Sequence, residues 1–202
     1  KLSDYSKLLE TILKYNQSFG KHNIDAMVGY SWQYFYSEGQ TTKAYGFLSD
    51  NFKWYSLAAA QTVESVSSYA ESNTLISMYG RINYNYADKY LLTATVRRDG
   101  SSRFGSGNKW GIFPSVAASW RISQEDFFQN DIMSDLKLRA SFGITGSQEI
   151  GNYNSLSTLG ASTNGYLVGG EKITIVLPQQ YTNPDLKWEQ TAQTDIGIDF
   201  GF

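Results

Sequence analysis

Apolar and polar residues alternate with a period of two through much of this chain. Within Tyr90–Ile122, Leu92, Ala94 and Val96 alternate with threonine and arginine, and a similar alternation resumes after residues 99–111. Successive side chains of a β-strand point to opposite faces, so the stretch is predicted to be a hairpin with one apolar face and one charged face. The connector between its strands is rich in Gly, Ser, Asp and Asn, which are turn residues.

The same alternation predicts five further strands, giving seven in total. They lie at 7–15, 24–34, 75–86, 136–144 and 186–202. The longest connectors between them are 35–73 and 145–185, and residues 58–65 in the first are compatible with a short helix. The predicted fold class is all-β and antiparallel.

Alternation alone fits either a soluble β-sandwich or a transmembrane β-barrel. The predicted strands of about nine to thirteen residues are long enough to span a bilayer, for which about 9–11 suffice. Their apolar faces carry no charge except Arg98, which lies at the end nearest a long connector. These features favour the barrel, with the even-numbered face from Ile24 onward against outer-membrane lipid.

Aromatic residues gather at the ends of the predicted strands, as they do in the interfacial girdles of outer-membrane barrels. They are Trp32, Tyr34, Tyr84, Tyr86, Tyr90, Trp120 and Trp188. Bacterial single-chain barrels have an even number of strands, whereas seven are predicted here. The chain is therefore expected to be an arc of a larger barrel.

Composition argues against several classes of function. A net charge of −2 provides no basic surface for nucleic acid. The sequence has no cysteine and only one histidine, His22, in a predicted turn, which argues against a zinc or iron site. A nucleophile elbow and a dinucleotide fingerprint are both missing, so we expect neither enzymatic activity nor a cofactor.

Charged residues on the predicted polar face are expected to pair across strands or to contact a plug inside the barrel. They are Arg97, Arg121, Lys137, Arg139, Asp195 and Asp199.

Three stretches resemble the SusC/RagA-type TonB-linked outer-membrane proteins. They are DGSSRFG at 99–105, KLRASFG at 137–143 and LKWEQT at 186–191. The first comprises Asp99, Gly100, Ser101, Ser102, Arg103, Phe104 and Gly105. The resemblance covers nearly the whole chain, although connectors 35–73 and 145–185 match no family pattern.

The resemblance implies an outer-membrane importer of oligosaccharides or peptides in Gram-negative bacteria of the Bacteroidetes type. It implies a plugged barrel of about 22 strands, a SusD-like lipoprotein partner and energy from the TonB complex. Residues 1–202 are then expected to be part of the barrel domain, with the plug domain absent. The competing hypotheses are a TonB-dependent siderophore or cobalamin receptor, a soluble carbohydrate-binding β-sandwich and an outer-membrane enzyme.

Substrate contacts are predicted in the two long connectors, because binding residues concentrate on loops held by a rigid scaffold and aromatic rings stack on sugar or peptide groups. The candidates are Phe52, Trp54, Tyr55, Tyr153, Tyr166 and Tyr181. The alternative is that these rings only pack within their own loops.

Overall fold

The computed structural model describes residues 2–49, 51, 55–128 and 132–202, and within these ranges it contains nine strands. They are β1 (Leu2–Phe19), β2 (His22–Tyr45), β3 (Thr62–Tyr86), β4 (Tyr90–Ser101), β5 (Trp110–Arg121), β6 (Asp135–Ser147), β7 (Thr158–Val168), β8 (Glu171–Gln180) and β9 (Glu189–Gly201). Short 3-10 turns occur at Leu57–Ala59 and Ile122–Gln124. No helix in these ranges is long and apolar enough to cross a membrane.

Seven strands form one antiparallel sheet in the order β1-β2-β3-β4-β5-β6-β9. Each strand pairs with the next, so the sheet is a meander that confirms the predicted all-β class and the seven predicted strands. Strands β7 and β8 form a separate hairpin between β6 and β9. Within the described ranges the sheet does not close on itself, and β1 and β9 are its free edges.

The predicted bounds of the first three strands were too short. Strands β2 and β3 have 24 and 25 residues, and most of the predicted connector 35–73 belongs to them. The predicted helix at 58–65 is also wrong, because a 3-10 turn at Leu57–Ala59 leads directly into β3. Residues on both faces of this extension are mostly polar, so no apolar alternation signals that the strands continue.

The hairpin β7–β8 was not predicted either. Its two-residue turn is Gly169-Gly170, with φ of +62° and +88°. Tight hairpin turns that match the strand twist need positive φ at these positions, which glycine adopts without strain. Connector 145–185 therefore contains regular structure of its own.

Strand register confirms the predicted division into two faces. One row across β4, β5, β6 and β9 consists of Leu92, Ala118, Ala140 and Ile196. The apolar residues of this face remain exposed, and Val116 is 45% accessible. A soluble sandwich would cover such a face, whereas a barrel turns it towards lipid.

Two rows of aromatic rings bound the apolar face. One row joins Tyr86, Tyr90 and Trp120 through stacked neighbours at 6.3 and 6.4 Å, near the short turns. The other includes Trp32 and Tyr34, stacked at 6.2 Å, towards the long connectors. Ile76 lies opposite Trp32 and is ten residues from Tyr86, about 33 Å along the strand. A strand tilt of about 40° makes this about 25 Å along the barrel axis, the height of an outer-membrane apolar band.

Candidate functional site

The long connectors fold over one end of the polar face and are held there by three buried aromatic rings. Phe104 is 1% exposed, and Phe113 and Trp188 are each 7% exposed. The ring centroids of Phe104 and Phe113 lie 5.1 and 5.3 Å from that of Trp188. The indole Nε1 of Trp188 also donates a hydrogen bond to the carbonyl of Lys109 at 3.0 Å. We call these three residues the aromatic hub.

Two glycines give Phe113 its space in the aromatic hub. A Cβ added at Gly111 would lie 2.5 Å from the Phe113 ring, and one added at Gly146 would also overlap that ring. Both positions therefore admit no side chain unless Phe113 moves, so the hub depends on residues of β5, β6 and two connectors.

The stretch Asp99–Gly105 attaches the β4–β5 connector to the edge of β3. Ser102 donates its backbone N–H to the carbonyl of Thr74 at 3.0 Å, and the N–H of Thr74 donates to the hydroxyl of Ser102 at 2.9 Å. Ser101 is 2% exposed, and its hydroxyl accepts the N–H of Arg103 at 3.2 Å. These bonds continue the sheet edge where β4 has ended.

Two glycines of the same stretch have neighbouring atoms so close that a side chain would not fit. A Cβ at Gly100 would be 2.8 Å from the ring of Trp110, and one at Gly105 would be 2.8 Å from the carbonyl oxygen of Pro184. The Arg98 guanidinium lies 4.6 Å from the centroid of the Trp110 ring. Arg98, a charged residue on the apolar face, is therefore held against an aromatic ring at the end of its strand.

Arg103 extends from this stretch to the next connector. Its Nε donates to Asn152 Oδ1 at 3.1 Å, and its Nη1 donates to the carbonyl of Gln148 at 3.1 Å. Ser72 donates its N–H to the Tyr153 hydroxyl at 2.9 Å. The connector after β6 is thereby fixed against β3 and the DGSSRFG stretch.

A cavity of about 470 Å³ lies between this connector and the first three strands. Its lining consists of Asp4, Tyr5, Ser6, Phe35, Tyr36, Ser37, Glu71, Asn73, Arg103 and Asn152. Two successive rows of the polar face form one side, with Asp4, Ser37 and Glu71 in the first and Ser6, Phe35 and Asn73 in the second. The lining combines two carboxylates, one guanidinium, amides, hydroxyls and aromatic rings.

Elsewhere on the polar face most of the predicted charges have partners. Arg97 contacts Asp99 at 2.7 Å and donates to Ser77 at 2.9 Å. Asp199 contacts Arg139 at 3.0 Å and Lys137 at 3.9 Å. The remaining members, Arg121 and Asp195, contact Asp135 and Ser141 respectively. Ion pairing across strands is confirmed for this set with two exceptions. The acidic partner of Arg97 lies on its own strand, and Asp195 contacts the Ser141 hydroxyl and the Gln193 amide but no charged side chain.

At the opposite end of the sheet, near the short turns, Glu125 connects several side chains through hydrogen bonds. Its own side chain is 12% exposed. This carboxylate accepts the hydroxyl of Tyr90 at 2.6 Å, Nζ of Lys89 at 2.9 Å and the indole N–H of Trp120 at 3.0 Å. These three bonds favour the ionised form and lower the pKa of Glu125 to about 2. The bond to Glu125 also raises the pKa of Lys89.

The predicted substrate residues are spread widely along the connectors. Tyr55 and Tyr181 are 69% and 87% exposed, while Tyr153, with φ of +63°, holds its loop to β3 through its hydroxyl. Tyr153 adjoins Asn152 of the cavity. Phe52 and Trp54 lie outside the described residues, and Tyr166 belongs to the backbone of β7 with its side chain outside them. Substrate contact by these six residues stays a prediction.

The structure adds cavity residues that sequence reasoning missed. Asp4 precedes the first predicted strand, and Phe35, Ser37, Glu71 and Asn73 fall in what was predicted to be a connector. These residues recur at every second position in the sequence. The positions between them do not form an apolar set, so the pattern did not indicate a strand. Among the described residues, no group of three or more acidic or histidine side chains is placed to hold a metal ion.

Together these features define a class of protein. The open sheet has an exposed apolar face between two aromatic rows, and connectors fold over one end of its polar face. This arrangement is typical of an arc from a large outer-membrane barrel.

Comparison with known proteins gives the family. The family described as TonB dependent receptor-like, beta-barrel matches residues 2–202. The chain belongs to this family, which comprises receptors and transporters of the outer membrane.

Individual relatives agree with this assignment. TonB-dependent receptor P3 of Formosa agariphila is 38% identical over 95% of this chain and 19% of its own length. TonB-dependent receptor SusC of Bacteroides thetaiotaomicron is 37% identical over 98% of this chain and 20% of its own length. The chain thus spans about a fifth of the length of the curated relatives it matches.

Solved structures show the same fold. The RagAB peptide transporter matches with a TM-score of 0.87 and 28% identity, over 99% of this chain and 22% of that chain. The RagAB peptide importer in its closed-closed state gives a TM-score of 0.86 over the same shares. The SusC/RagA resemblance and the barrel-arc prediction are both confirmed.

Proposed function

We propose that the chain is part of an outer-membrane importer that takes up oligosaccharides or peptides and is energised by the TonB complex. The observation that carries the proposal is the division of one sheet into two faces. The apolar face between the aromatic rows suits lipid, and the polar face carries paired charges and a cavity, as expected of a barrel interior. Similarity to SusC and to the RagAB importer supports the same activity.

In this proposal, residues 1–202 are part of the barrel domain, and the plug domain comes from another part of the protein. The partners are a SusD-like lipoprotein at the cell surface, the TonB complex and the lipid of a Bacteroidetes-type outer membrane. No catalytic role is proposed for the chain.

The test measures uptake by the full-length protein in its host. Cells with and without the gene receive labelled oligosaccharides and peptides, and each strain is also assayed after loss of TonB. We expect accumulation of at least one cargo class that requires both the gene and TonB. Accumulation that is independent of TonB would contradict the proposal.

Specificity is proposed to lie in connectors 35–73 and 145–185, which include Phe52, Trp54, Tyr55, Tyr153, Tyr166 and Tyr181. Exchanging both connectors for those of a relative with a different cargo should transfer its cargo preference. If preference stays with the barrel, the assignment to connectors is wrong. If uptake ends while the barrel still assembles, docking of the lipoprotein becomes the better explanation for these connectors.

A further inference from the structure

The pairing of β5 with β6 stops before either strand ends. Their last paired residues towards the long connectors are Ser115 and Gly143, although both strands continue beyond them. The next residue of β5 is Pro114, which has no N–H with which to continue the ladder. Residues 110–114 of β5 are therefore paired with β4 alone, and we call them the free edge of β5.

Backbone donors point outward from the free edge of β5. The N–H of Ser101 donates to the carbonyl of Lys109 at 2.9 Å, so the odd-numbered residues of β5 direct their backbone groups towards β4. Residues of an antiparallel ladder alternate in this respect, which turns the N–H groups of Trp110 and Ile112 the other way. Among the described strands, no residue is paired with that side of either residue. Backbone donors beside a lipid-facing surface need a partner.

Strands β5 and β6 are offset in depth along this stretch. Phe113 lies on the polar face of β5 and Gly146 on the even-numbered face of β6, yet the Phe113 ring occupies the space beside Gly146. Ile144, on the same face of β6 as Gly146, also packs against the aromatic hub. The hub therefore lies between the two strands, and the free edge of β5 stands on the apolar side of β6.

A recess of about 350 Å³ adjoins the free edge of β5, and its lining includes Trp110, Lys187 and Gln190. Gln190 is paired with Gly146, so it belongs to the even-numbered face of β9. Trp110 belongs to the same face of β5. The recess is therefore accessible from the apolar side of the sheet.

Two cations without an acidic partner flank this recess. Lys187 lines it, and the Arg98 guanidinium lies 4.6 Å from the centroid of the Trp110 ring, which also lines it. Neither cation forms an ion pair with the described residues. The carboxylates of Asp185 and Glu189, close to Lys187 in the sequence, do not line the recess. The recess therefore suits an anion.

We infer that the free edge of β5 and its recess bind the phosphate group of a membrane lipid, an inference that goes beyond the proposed uptake of cargo. A phosphate accepts hydrogen bonds from guanidinium, ammonium and backbone N–H groups, which Arg98, Lys187 and the free edge supply together. Basic sites at the membrane boundary recognise lipid headgroups in this way.

The surface beside these donors favours a lipid over a soluble anion. Ile112 lies opposite Arg98, and Val96 lies two residues further into the apolar face. Their side chains are 57% and 51% exposed. A headgroup held at Arg98 places its acyl chains along this apolar surface, where a free phosphate would make no contact.

The test measures binding of fluorescent lipid A to the full-length protein in detergent, with the same lipid A after removal of its phosphates as ligand control. Arg98→Gln combined with Lys187→Gln should raise the Kd of the phosphorylated lipid about tenfold, since charge-assisted hydrogen bonds are lost. Lys14→Gln combined with Lys21→Gln is the matched control, because it removes two exposed cations outside the recess, and it should leave the Kd unchanged.

Amide hydrogen exchange of the unmodified protein keeps the test valid if the double variant fails to assemble. Phosphorylated lipid A should slow exchange in residues 110–112, and the dephosphorylated lipid should not. Equal binding of the two lipids, or exchange that neither lipid slows, would overturn the inference. Inorganic phosphate that displaces the lipid and protects the same amides would also overturn it, in favour of a soluble anion. TonB-dependent uptake is measured separately, so each of these outcomes leaves the proposed function intact.

Discussion

The two ends of the sheet differ in how completely their polar groups are satisfied. At the end with short turns, Glu125 accepts three hydrogen bonds from residues within 36 positions of it in the chain. At the other end, the aromatic hub joins Phe104 to Trp188, and the adjoining cavity is lined by Asp4 and Glu71, which form no ion pair with the described residues. The short-turn end is held by residues that are near one another in the sequence, whereas the other end is assembled from segments that are distant in the sequence.

The largest effect is expected from breaking the aromatic hub. Trp188→Ala should lower the free energy of unfolding of the full-length barrel by about 3–5 kcal/mol, because a buried aromatic ring and its hydrogen bond to Lys109 are lost. Unfolding by denaturant in detergent measures this change. Tyr181→Ala, at a side chain that is 87% exposed, is the control. Comparable losses of unfolding free energy in the two variants would mean that the aromatic hub does not stabilise this end of the sheet.

The apolar face between the two ends is expected to contact lipid. Ala118→Arg should cost about 2–4 kcal/mol if its position is near the bilayer midplane. Ala117→Arg is a closely matched control, since the adjacent alanine lies on the polar face opposite Thr93 and Ser141. Barrel assembly in the outer membrane is the measurement. Equal assembly of both variants would contradict the assignment of faces.

A smaller effect should come from filling the space of Phe113. Gly146→Ala places a methyl group against that ring and should destabilise the barrel by about 1–3 kcal/mol through overpacking. Gly107→Ala, where an added Cβ has no neighbour within 4 Å, should be nearly neutral. The difference in denaturation midpoint between the two variants measures the effect. A smaller loss for Gly146→Ala than for Gly107→Ala would show that the hub is loosely packed.

The smallest effect is expected at the short-turn end and depends on pH. Because folding lowers the pKa of Glu125 from about 4.5 to about 2, its contribution to stability is present above pH 4.5 and is lost as the pH falls through 2. Glu125→Gln should therefore be less stable than the unmodified protein at pH 6, and the difference should shrink towards pH 2. Asp126→Asn is the control: Asp126 contacts the same Lys89 at 3.5 Å, but its side chain is fully exposed, so its loss should change stability much less. A difference that stays constant with pH would argue against a charge effect.

Much of the sheet could be predicted from the sequence, because lipid imposes a strict alternation on every spanning strand. Residues such as Leu92 and Ala118 fall on the predicted face for this reason. The extension of β2 and β3 could not be predicted. Residues on both of its faces are mostly polar, so apolar and polar residues do not alternate there as they do in the rest of each strand. The cavity follows from that extension and from contacts such as Phe104 with Trp188, 84 positions apart, which no local pattern reveals.

The extension of β2 and β3 has a consequence for susceptibility to proteolysis. From Tyr36 opposite Ser72 to Tyr45 opposite Thr62, about ten residues of each strand continue beyond the outer aromatic row, roughly 30 Å along the strand. Digestive enzymes need an unpaired, extended backbone, which a hydrogen-bonded ladder withholds until it opens. The paired backbone of this projecting ribbon is therefore expected to resist proteolytic cleavage, although it extends well beyond the rest of the sheet.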